Sequence, residues 1–250
     1  MSVPTTLEPR RAHRGRRRGK RRLRRRPVWH PEIPEGSVAV VTDVTRRFGT
    51  DLTVGHGELV VLLGRSGTAG TDLLRCLGGL DRPVPGTVQV TGSVATVFRE
   101  PRLLPWRSVQ DNVALALLGT RLQAVRREKA RRVLEDVGLG DRRAAWPAGL
   151  TPDEAARAAL ARGLVSRPDL LLVDDPFAPL AAGDRRRLAR TVRRLWERER
   201  PAVLVTTDDP AVARALGGRV VPLDPTLAPT PEAPEAPAPD APEKEHPACP

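Results

Sequence analysis

Short apolar runs alternate with segments of helical spacing across residues 36–224. We predict strands at six of these runs: 37–42, 58–63, 93–98, 169–174, 202–206 and 218–223. Several runs are continuously apolar, which is typical of strands buried on both faces of a sheet. Helical spacing predicts three helices, around Leu73, Leu74, Leu77 and Leu80, around Val125, Val133, Leu134 and Val137, and around Leu188, Val192 and Leu195. Strands interleaved with helices indicate an α/β domain with a mostly parallel sheet.

The two ends of the chain lack this pattern. Residues 1–35 are a polybasic arm and lead-in, in which residues 10–26 alone carry twelve of the 42 arginines and lysines. Residues 225–250 are a tail of proline, alanine and glutamate that contains nine prolines. Both segments have too few apolar residues to build a core, so we predict that both are disordered.

Composition restricts the class of protein. The chain has 250 residues, enough for one domain with a full hydrophobic core. No apolar run approaches the ~18 residues of a membrane-spanning helix, and the N-terminus lacks the apolar segment of a signal peptide. The two cysteines, Cys76 and Cys249, lie far apart, which favours a reducing cytosol over a disulfide framework.

The net charge of +12 comes almost entirely from the polybasic arm. An arginine-rich run can contact nucleic acid or an anionic membrane surface, or it can remain solvated. Residues 10–26 contain no phenylalanine, tyrosine or tryptophan for base stacking. Nucleic acid is therefore the less favoured partner, and an electrostatic contact with the inner leaflet is the preferred alternative to a solvated arm.

A glycine-rich turn follows the strand at 58–63 and leads into a helical segment. Its residues are Gly64, Arg65, Ser66, Gly67, Thr68, Ala69, Gly70 and Thr71. Strand, glycine-rich turn and helix N-terminus together present backbone N–H groups to an anion, as in a phosphate loop. The working pattern is GxxxxGK[ST], and here Ala69 and Gly70 stand at its second glycine and its lysine. Taken alone, the segment is equally compatible with an ordinary strand-to-helix turn.

Four further segments resemble, in order and spacing, the ATP-binding subunits of ABC transporters. They are GRSGTAGTDLLRCLGGLDRPVPGTVQVTG, REPRLLPWRSVQDNVALAL, WPAGLTPDEAARAALARGLVSRPDLLLVDDPFAPL and VLVTTDDPAVARAL. The second is most similar to the importer subunits for nitrate, taurine and aliphatic sulfonates, where an LPW triplet is common. The resemblance covers about residues 36–224. It implies a P-loop NTPase core of ABC type with a mostly parallel sheet, an antiparallel β subdomain and a helical subdomain at about 100–160.

The resemblance assigns the nucleotide-binding positions. Phe48 matches the aromatic residue that stacks on adenine, although it could equally be a core residue. The turn 64–71 and Asp72 match the phosphate loop and its continuation. Thr71 and Asp174 match the residues that hold Mg²⁺. Arg99 takes the place of the glutamine that senses Mg²⁺ and the γ-phosphate, and it could bind a phosphate or remain solvated.

The resemblance also assigns catalytic and partner-facing positions. Asp175 takes the place of the catalytic glutamate, and Thr207 takes that of the switch histidine. Thr151 and Asp153 lie in the signature motif, which in the family holds the ATP of a partner subunit. Here that motif predicts a capping box, with Thr151 as the N-cap and Glu154 reaching back to it. Two carboxylates at this helix start are expected to repel a phosphate.

Several family positions are therefore replaced, among them the phosphate-loop lysine by Gly70 and the D-loop aspartate by Ala181. Arg65 could supply the missing charge, but its position varies in the family. ATP and Mg²⁺ are the cofactors that the resemblance implies. We expect ATP binding and hydrolysis to be weakened or lost.

The expected partners follow from the same resemblance. They are a membrane permease and a second ABC subunit, in a homodimer or in a heterodimer with an active paralogue, at the cytoplasmic face of the membrane. A non-catalytic scaffold with the same fold is the main alternative function. A nucleic-acid-associated protein acting through residues 10–26 is the other. The transported substrate does not follow from the sequence.

Overall fold

The computed structural model describes residues 35–42, 51–64, 69–81 and 87–223. Its strands are β1 (Ser37–Thr42), β2 (Leu52–Gly55), β3 (Leu59–Leu63), β4 (Thr87–Val90), β5 (Val94–Val97), β6 (Leu170–Asp174), β7 (Ala202–Thr207) and β8 (Arg219–Pro222). Its α-helices are α1 (Ala69–Leu77), α2 (Val109–Ala114), α3 (Gln123–Asp136), α4 (Pro152–Leu164), α5 (Ala182–Glu199) and α6 (Pro210–Leu216). Short 3₁₀ helices lie at Leu115–Leu117, Gly140–Arg142 and Pro147–Gly149.

Five strands form a parallel sheet in the order β5-β6-β7-β3-β8. Its central strands are buried on both faces, because alternate residues enter two different cores. In β3, Val60 and Leu62 belong to one core, whereas Leu59 and Val61 belong to the other. This two-sided burial explains why the central strands are continuously apolar rather than alternating.

The two cores lie on opposite faces of the parallel sheet. One face packs against α1 and the antiparallel sheet β2-β1-β4, with residues such as Val38, Val54 and Leu73. The other face packs against helices α2 to α6, with residues such as Val113 and Leu134. The architecture is that of an α/β P-loop NTPase core with an added antiparallel sheet and a group of helices between β5 and β6.

All six predicted strands are present, with ends displaced by at most one residue. Strands β2 and β4 were not predicted individually, because each has only four residues and neither forms a long apolar run. The antiparallel sheet that they form with β1 was expected only from the family resemblance. In physical terms, a strand of this length gains its stability from its neighbours and carries little signal of its own.

Two residues predicted on helix faces do not lie in a core. Helix α1 ends at Leu77, and Gly79 follows with a φ of 67°, so Leu80 is 51% exposed. A glycine in this left-handed conformation is a common helix stop. Val125 lies in α3 but is 39% exposed, because α3 buries only Ala130 and Leu134. The predicted helices are present, but the prediction that Leu80 and Val125 face a core was wrong.

The predicted division into arm, central domain and tail remains a prediction. Residues 1–34 and 224–250, which include the basic run 10–26, lie outside the described residues. Within the described ranges, every helix is too short or too polar to cross a bilayer.

Gly218 is required where β8 meets β3. A Cβ atom at this position would overlap the backbone carbonyl and side chain of Leu59. We expect Gly218→Ala to lower the free energy of unfolding by about 2 kcal/mol or more, because neither backbone segment can move without breaking the β3–β8 pairing. Urea unfolding followed by circular dichroism measures this loss.

Gly183→Ala is the matched control, since the same atom added near the start of α5 meets nothing within 4 Å. Alanine should leave stability there unchanged or raise it slightly, because it favours helix over glycine. Equal effects of the two substitutions would contradict the assigned close approach.

Candidate functional site

The carboxyl ends of four neighbouring parallel strands meet at one edge of the sheet. Gly64 follows β3, Arg99 lies two residues beyond β5, Asp174 ends β6, and Thr207 ends β7. Open α/β sheets bind their ligands outside this edge. The fold thus brings together residues that the sequence singled out in four separate segments.

The first turn of α1 contacts the end of β6. Thr71 Oγ1 donates a hydrogen bond of 2.8 Å to Asp174 Oδ1, and Thr206 Oγ1 donates one of 3.3 Å to the same oxygen. Asp72 lies in this first turn, where a carboxylate interacts favourably with the helix dipole. The hydroxyl of Thr71 and the carboxylate of Asp174 are oxygen ligands of the kind that Mg²⁺ prefers.

The position of the missing lysine is closely packed. A Cβ atom at Gly70 would lie 3.0 Å from Thr206 Cγ2 and 3.2 Å from Leu223 Cδ1. A Cβ atom at Gly64 would lie 2.8 Å from Leu223 Cβ. Leu223 therefore covers both glycines, and a lysine at position 70 would require its side chain to move. No pattern in the sequence predicts this contact, because it depends on β8 lying beside β3.

Arg99 pairs with Asp175. Its Nη2 atom lies 3.2 Å from Asp175 Oδ2, and the two side chains are 37% and 2% exposed. The sequence left a phosphate-binding and a solvated Arg99 open, and neither alternative included this contact with Asp175. The two replaced positions instead form an ion pair with each other at the sheet edge.

The carboxyl group of Asp175 lies in an unusual environment. Its backbone adopts a φ of 37°, and its Oδ1 atom is buried without a hydrogen-bond partner among the described residues. Burial raises its pKa to about 7; Arg99 opposes this rise, whereas Asp208 and Asp174 add to it and Arg185 lowers it. The charged form of Asp175 is therefore destabilised. This residue stands at the position that the family resemblance assigns to a catalytic base.

Thr207 is engaged by its own loop. Its Oγ1 atom accepts a hydrogen bond of 3.3 Å from the backbone N–H of Asp209, and its carbonyl oxygen accepts one of 3.1 Å from Gly64 N–H. Asp209 caps α6 through a 2.8 Å hydrogen bond from the N–H of Ala211. Thr207 therefore connects the ends of β7 and β3, and its side chain is only 2% exposed.

The predicted capping box is present at the start of α4. Thr151 Oγ1 accepts from the N–H of Glu154, and the Glu154 carboxylate accepts from the N–H of Thr151. Both carboxylates are paired with arginines, Asp153 with Arg157 at 2.8 Å and Glu154 with Arg142 at 2.9 Å. The partners of Asp153 and Glu154 lie in or near α4, and none of them is a residue of the cluster at the sheet edge.

Five predicted site residues lie outside the described residues. They are Phe48, at the predicted adenine position, and Arg65, Ser66, Gly67 and Thr68 of the glycine-rich turn. Of that turn, the structure places Gly64, Ala69, Gly70 and Thr71.

Comparison with known proteins identifies the family. The family description "ABC transporter" matches residues 48–178. The aliphatic sulfonates import ATP-binding protein SsuB 1 of Pseudomonas fluorescens is 48% identical over 187 residues, which cover 72% of this chain and 71% of that protein. The chain belongs to the ABC transporter family. The SsuB 3 protein of Nocardia farcinica is also 48% identical, over 175 residues that cover 70% of this chain and 69% of that one.

Solved structures of ABC proteins share the fold. An inward-facing ABC transporter of metal-chelate type matches with a TM-score of 0.67 and 20% identity, over 76% of this chain and 80% of its own. The dimeric bacterial ABC transporter cassette MJ0796 matches with a TM-score of 0.62 and 27% identity, over 70% of this chain and 84% of its own. The predicted ABC-type fold is confirmed.

The site offers oxygen atoms of the kind that Mg²⁺ prefers, but it lacks the lysine that would bind the phosphates of ATP. Thr71 and Asp174 bring a hydroxyl and a carboxylate together, although no three histidine, cysteine, aspartate or glutamate side chains that could hold a metal ion cluster among the described residues. Gly70 stands at the position of the phosphate-loop lysine, and it lies under Leu223. Sequence reasoning missed Leu223 and Thr206, whose contacts arise only in the assembled sheet.

The raised pKa of Asp175 predicts a pH-dependent stability. Because the folded protein holds this proton more tightly than the unfolded chain, its free energy of unfolding falls as pH rises from the ordinary pKa of 3.8 to about 7. Asp175→Asn carries no titrating charge, so the variant should gain about 2–4 kcal/mol relative to wild type across that window. Urea unfolding in EDTA at several pH values measures the difference.

The matched control is Asp184→Asn, which removes a carboxylate from the half-exposed first turn of α5. The comparison cancels the titration of all other groups. A difference between wild type and Asp175→Asn that stays constant with pH would contradict the assigned environment.

Proposed function

We propose that this protein is the ATP-binding subunit of an ABC importer and couples nucleotide binding to a membrane permease, with hydrolysis at its own site weakened. The observation that carries the proposal is the Thr71–Asp174 hydrogen bond, which joins the phosphate-loop helix to the end of β6. Family membership and the name of the SsuB relatives, import ATP-binding proteins, support the direction of transport.

Thr71 and Asp174 are the residues that would hold Mg²⁺. When bound, Mg²⁺ would neutralise charge on the phosphates of ATP. The turn 65–68, Ala69 and Gly70 would follow the phosphate chain through backbone N–H groups. Gly64, whose N–H donates to the Thr207 carbonyl, would begin this turn. Phe48 is proposed to stack on the adenine.

Weakened hydrolysis is proposed because the side chains at the catalytic positions already interact with other residues of the chain. Asp175 has one carboxylate oxygen paired with Arg99 and the other enclosed. A general base must reach the water whose proton it accepts, and neither oxygen is free to do so. The hydroxyl of Thr207 is bonded to its own loop and carries no titrating imidazole.

The proposed partners are a permease and a second ABC subunit at the cytoplasmic face of the membrane. Large apolar side chains are exposed between β5 and α4: Trp106 at 68%, Leu118 at 66%, Leu122 at 66% and Trp146 at 57%. A contiguous patch of exposed apolar side chains marks a surface that contacts other proteins, and these four residues are proposed to form one. The partner subunit is proposed to be either a second copy or an active paralogue, and residues 10–26 to contact the anionic membrane surface.

One observation favours a second candidate, a non-catalytic scaffold with the ABC fold. A Cβ atom at position 70, the first side-chain atom of a phosphate-binding lysine, would already lie 3.0 Å from Thr206 Cγ2 and 3.2 Å from Leu223 Cδ1. A scaffold would keep its partners but bind no nucleotide. Nucleotide binding therefore separates the two candidates.

We expect wild type to bind ATP more tightly in Mg²⁺ than in EDTA. Thr71→Val removes one metal ligand and should abolish most of this difference, a loss of about tenfold or more in affinity for Mg-ATP. Thr191→Val is the control, because Thr191 is a buried threonine whose hydroxyl donates a hydrogen bond to the Arg187 carbonyl in α5. Calorimetry measures all three proteins, and equal binding by wild type and Thr71→Val would contradict the proposal.

Restoring the lysine should strengthen binding only if its space is cleared. We expect the triple variant Ala69→Gly, Gly70→Lys, Leu223→Ala to bind Mg-ATP at least about tenfold more tightly than wild type. The double variant Ala69→Gly, Gly70→Lys, which retains Leu223, should gain less affinity for Mg-ATP than the triple variant. It should also unfold at a lower urea concentration than wild type, because the new side chain at position 70 forces Leu223 to move. If only the triple variant binds ATP, the scaffold function is the correct one.

Permease binding tests the other half of the proposal. Trp106→Ser should reduce co-purification with a co-expressed permease of the aliphatic sulfonate type, while leaving the urea midpoint unchanged because Trp106 is exposed. Val94→Ser, an exposed apolar residue of β5, serves as the control. Failure of wild type to associate with any such permease would exclude an importer subunit of this type.

A further inference from the structure

We propose that Arg99 supplies the phosphate-binding cation that position 70 lacks, and that Asp175 is the positioning residue that holds it, an inference that rests on the proposed nucleotide-binding function. In this arrangement Asp175 is not a general base. The two positions act as one unit, a guanidinium anchored from behind by a buried carboxylate.

The strand register places the two residues opposite each other. Strands β5 and β6 are parallel neighbours, and Val97 is paired with Val173 at their carboxyl ends. Arg99 and Asp175 each lie two residues further along their chains. The 3.2 Å contact between Arg99 Nη2 and Asp175 Oδ2 therefore continues the register of the sheet beyond its last backbone pair.

Most of the hydrogen-bonding capacity of Arg99 is unused. A guanidinium has five N–H donors, and among the described residues Arg99 makes one hydrogen bond, to Asp175. Its side chain is 37% exposed, so the remaining donors are accessible. A planar fork of free N–H groups is the geometry that binds phosphate oxygens in pairs.

The backbone that carries Arg99 is fastened on its far side. Arg162 donates hydrogen bonds of 2.7 Å to the carbonyl of Pro101 and 2.8 Å to that of Arg102. Arg102 adopts a φ of 47° and stacks its guanidinium 4.2 Å from the ring centre of Phe98. A cation on a restrained backbone loses less entropy when it binds an anion.

Asp175 is placed to hold a partner rather than to meet a water molecule. Its side chain is 2% exposed, its Oδ2 atom contacts Arg99, and its Oδ1 atom is buried without a hydrogen-bond partner in the part of the chain that the structure describes. A carboxylate in this state stabilises the cation beside it. It has no accessible oxygen for the proton of an attacking water.

The N-terminus of α1 lies beside the same strand end. Thr71 reaches Asp174, the residue before Asp175, from α1, while Arg99 reaches Asp175 from β5. Two other arginines nearby use more of their donors: Arg75 donates two hydrogen bonds to Asp81, and Arg185 bonds to the carbonyls of Leu180 and Ala178. Of these three arginines, Arg99 therefore keeps the most unused donors.

Tripolyphosphate, with Mg²⁺ present, is the direct probe because it lacks a base and a sugar. We expect Arg99→Gln to weaken its binding about tenfold or more and Arg99→Lys to weaken it less, since lysine keeps the charge but not the fork. Arg107→Gln, which removes an exposed charge from the same segment between β5 and α2, should change affinity less than about twofold. Equal losses for Arg99→Gln and Arg107→Gln would overturn the assignment. A loss in Arg65→Gln with none in Arg99→Gln would overturn it as well.

A double-mutant cycle tests the role of Asp175. If Asp175 acts through Arg99, Asp175→Asn weakens tripolyphosphate binding at least about threefold more in the wild-type background than in the Arg99→Gln background. In the Arg99→Gln background, Asp175→Asn only removes a negative charge that repels tripolyphosphate, so it should not weaken binding there. Equal factors in the two backgrounds would give Asp175 an independent role and overturn its assignment as an anchor.

ATP as a second probe separates this inference from the proposed function. Binding of tripolyphosphate that depends on Arg99, without binding of ATP, would support the cation and exclude the ATP-binding subunit. Binding of both probes that is indifferent to Arg99 would leave the proposed function standing and overturn this inference. Binding of neither probe by wild type would overturn both.

Discussion

The parallel register of β5, β6, β7 and β3 is the constraint on which the rest of the site depends. Because all four strands run in the same direction, their carboxyl ends lie at one edge, and residues far apart in the chain meet there. The hydrogen bond between Thr71 and Asp174 then fixes helix α1 to the end of the central strand β6. Burial of β6 on both faces makes this end a rigid support.

The replaced family positions have acquired local partners. Arg99 pairs with Asp175, the hydroxyl of Thr207 bonds to its own loop, and Gly70 packs under Leu223. The start of α4 has become a capping box whose carboxylates are paired with arginines. Buried polar groups are costly unless they are satisfied, so these partners keep the fold stable. Two carboxylate oxygens are exceptions, Oδ1 of Asp153 and Oδ1 of Asp175, which are buried without a hydrogen-bond partner among the described residues. Of the two groups, Asp175 has its pKa raised to about 7.

Arginines also join the helices to one another through backbone carbonyls. Arg157 donates to the carbonyls of Val137 and Gly138 just after α3, and Arg193 donates to those of Leu216 and Gly217 at the end of α6. The last carbonyls of a helix lack partners within the helix, and a cation there also interacts favourably with the dipole. A guanidinium can serve two carbonyls at once, which gives a structural use to the arginine-rich, lysine-poor composition of the described residues.

The sequence by itself determined the features that are encoded locally. Continuous apolar runs predicted the central parallel strands, and the order Thr151, Pro152, Glu154 predicted the capping box, because a few adjacent residues suffice to form each. The ordered motifs predicted the ABC fold. The tertiary structure alone decided which side chains meet: Thr71 with Asp174, Arg99 with Asp175, and Leu223 with Gly70. These contacts depend on strand order and register, which no short segment encodes, and they determine which replaced residues carry charge at the site and which only pack.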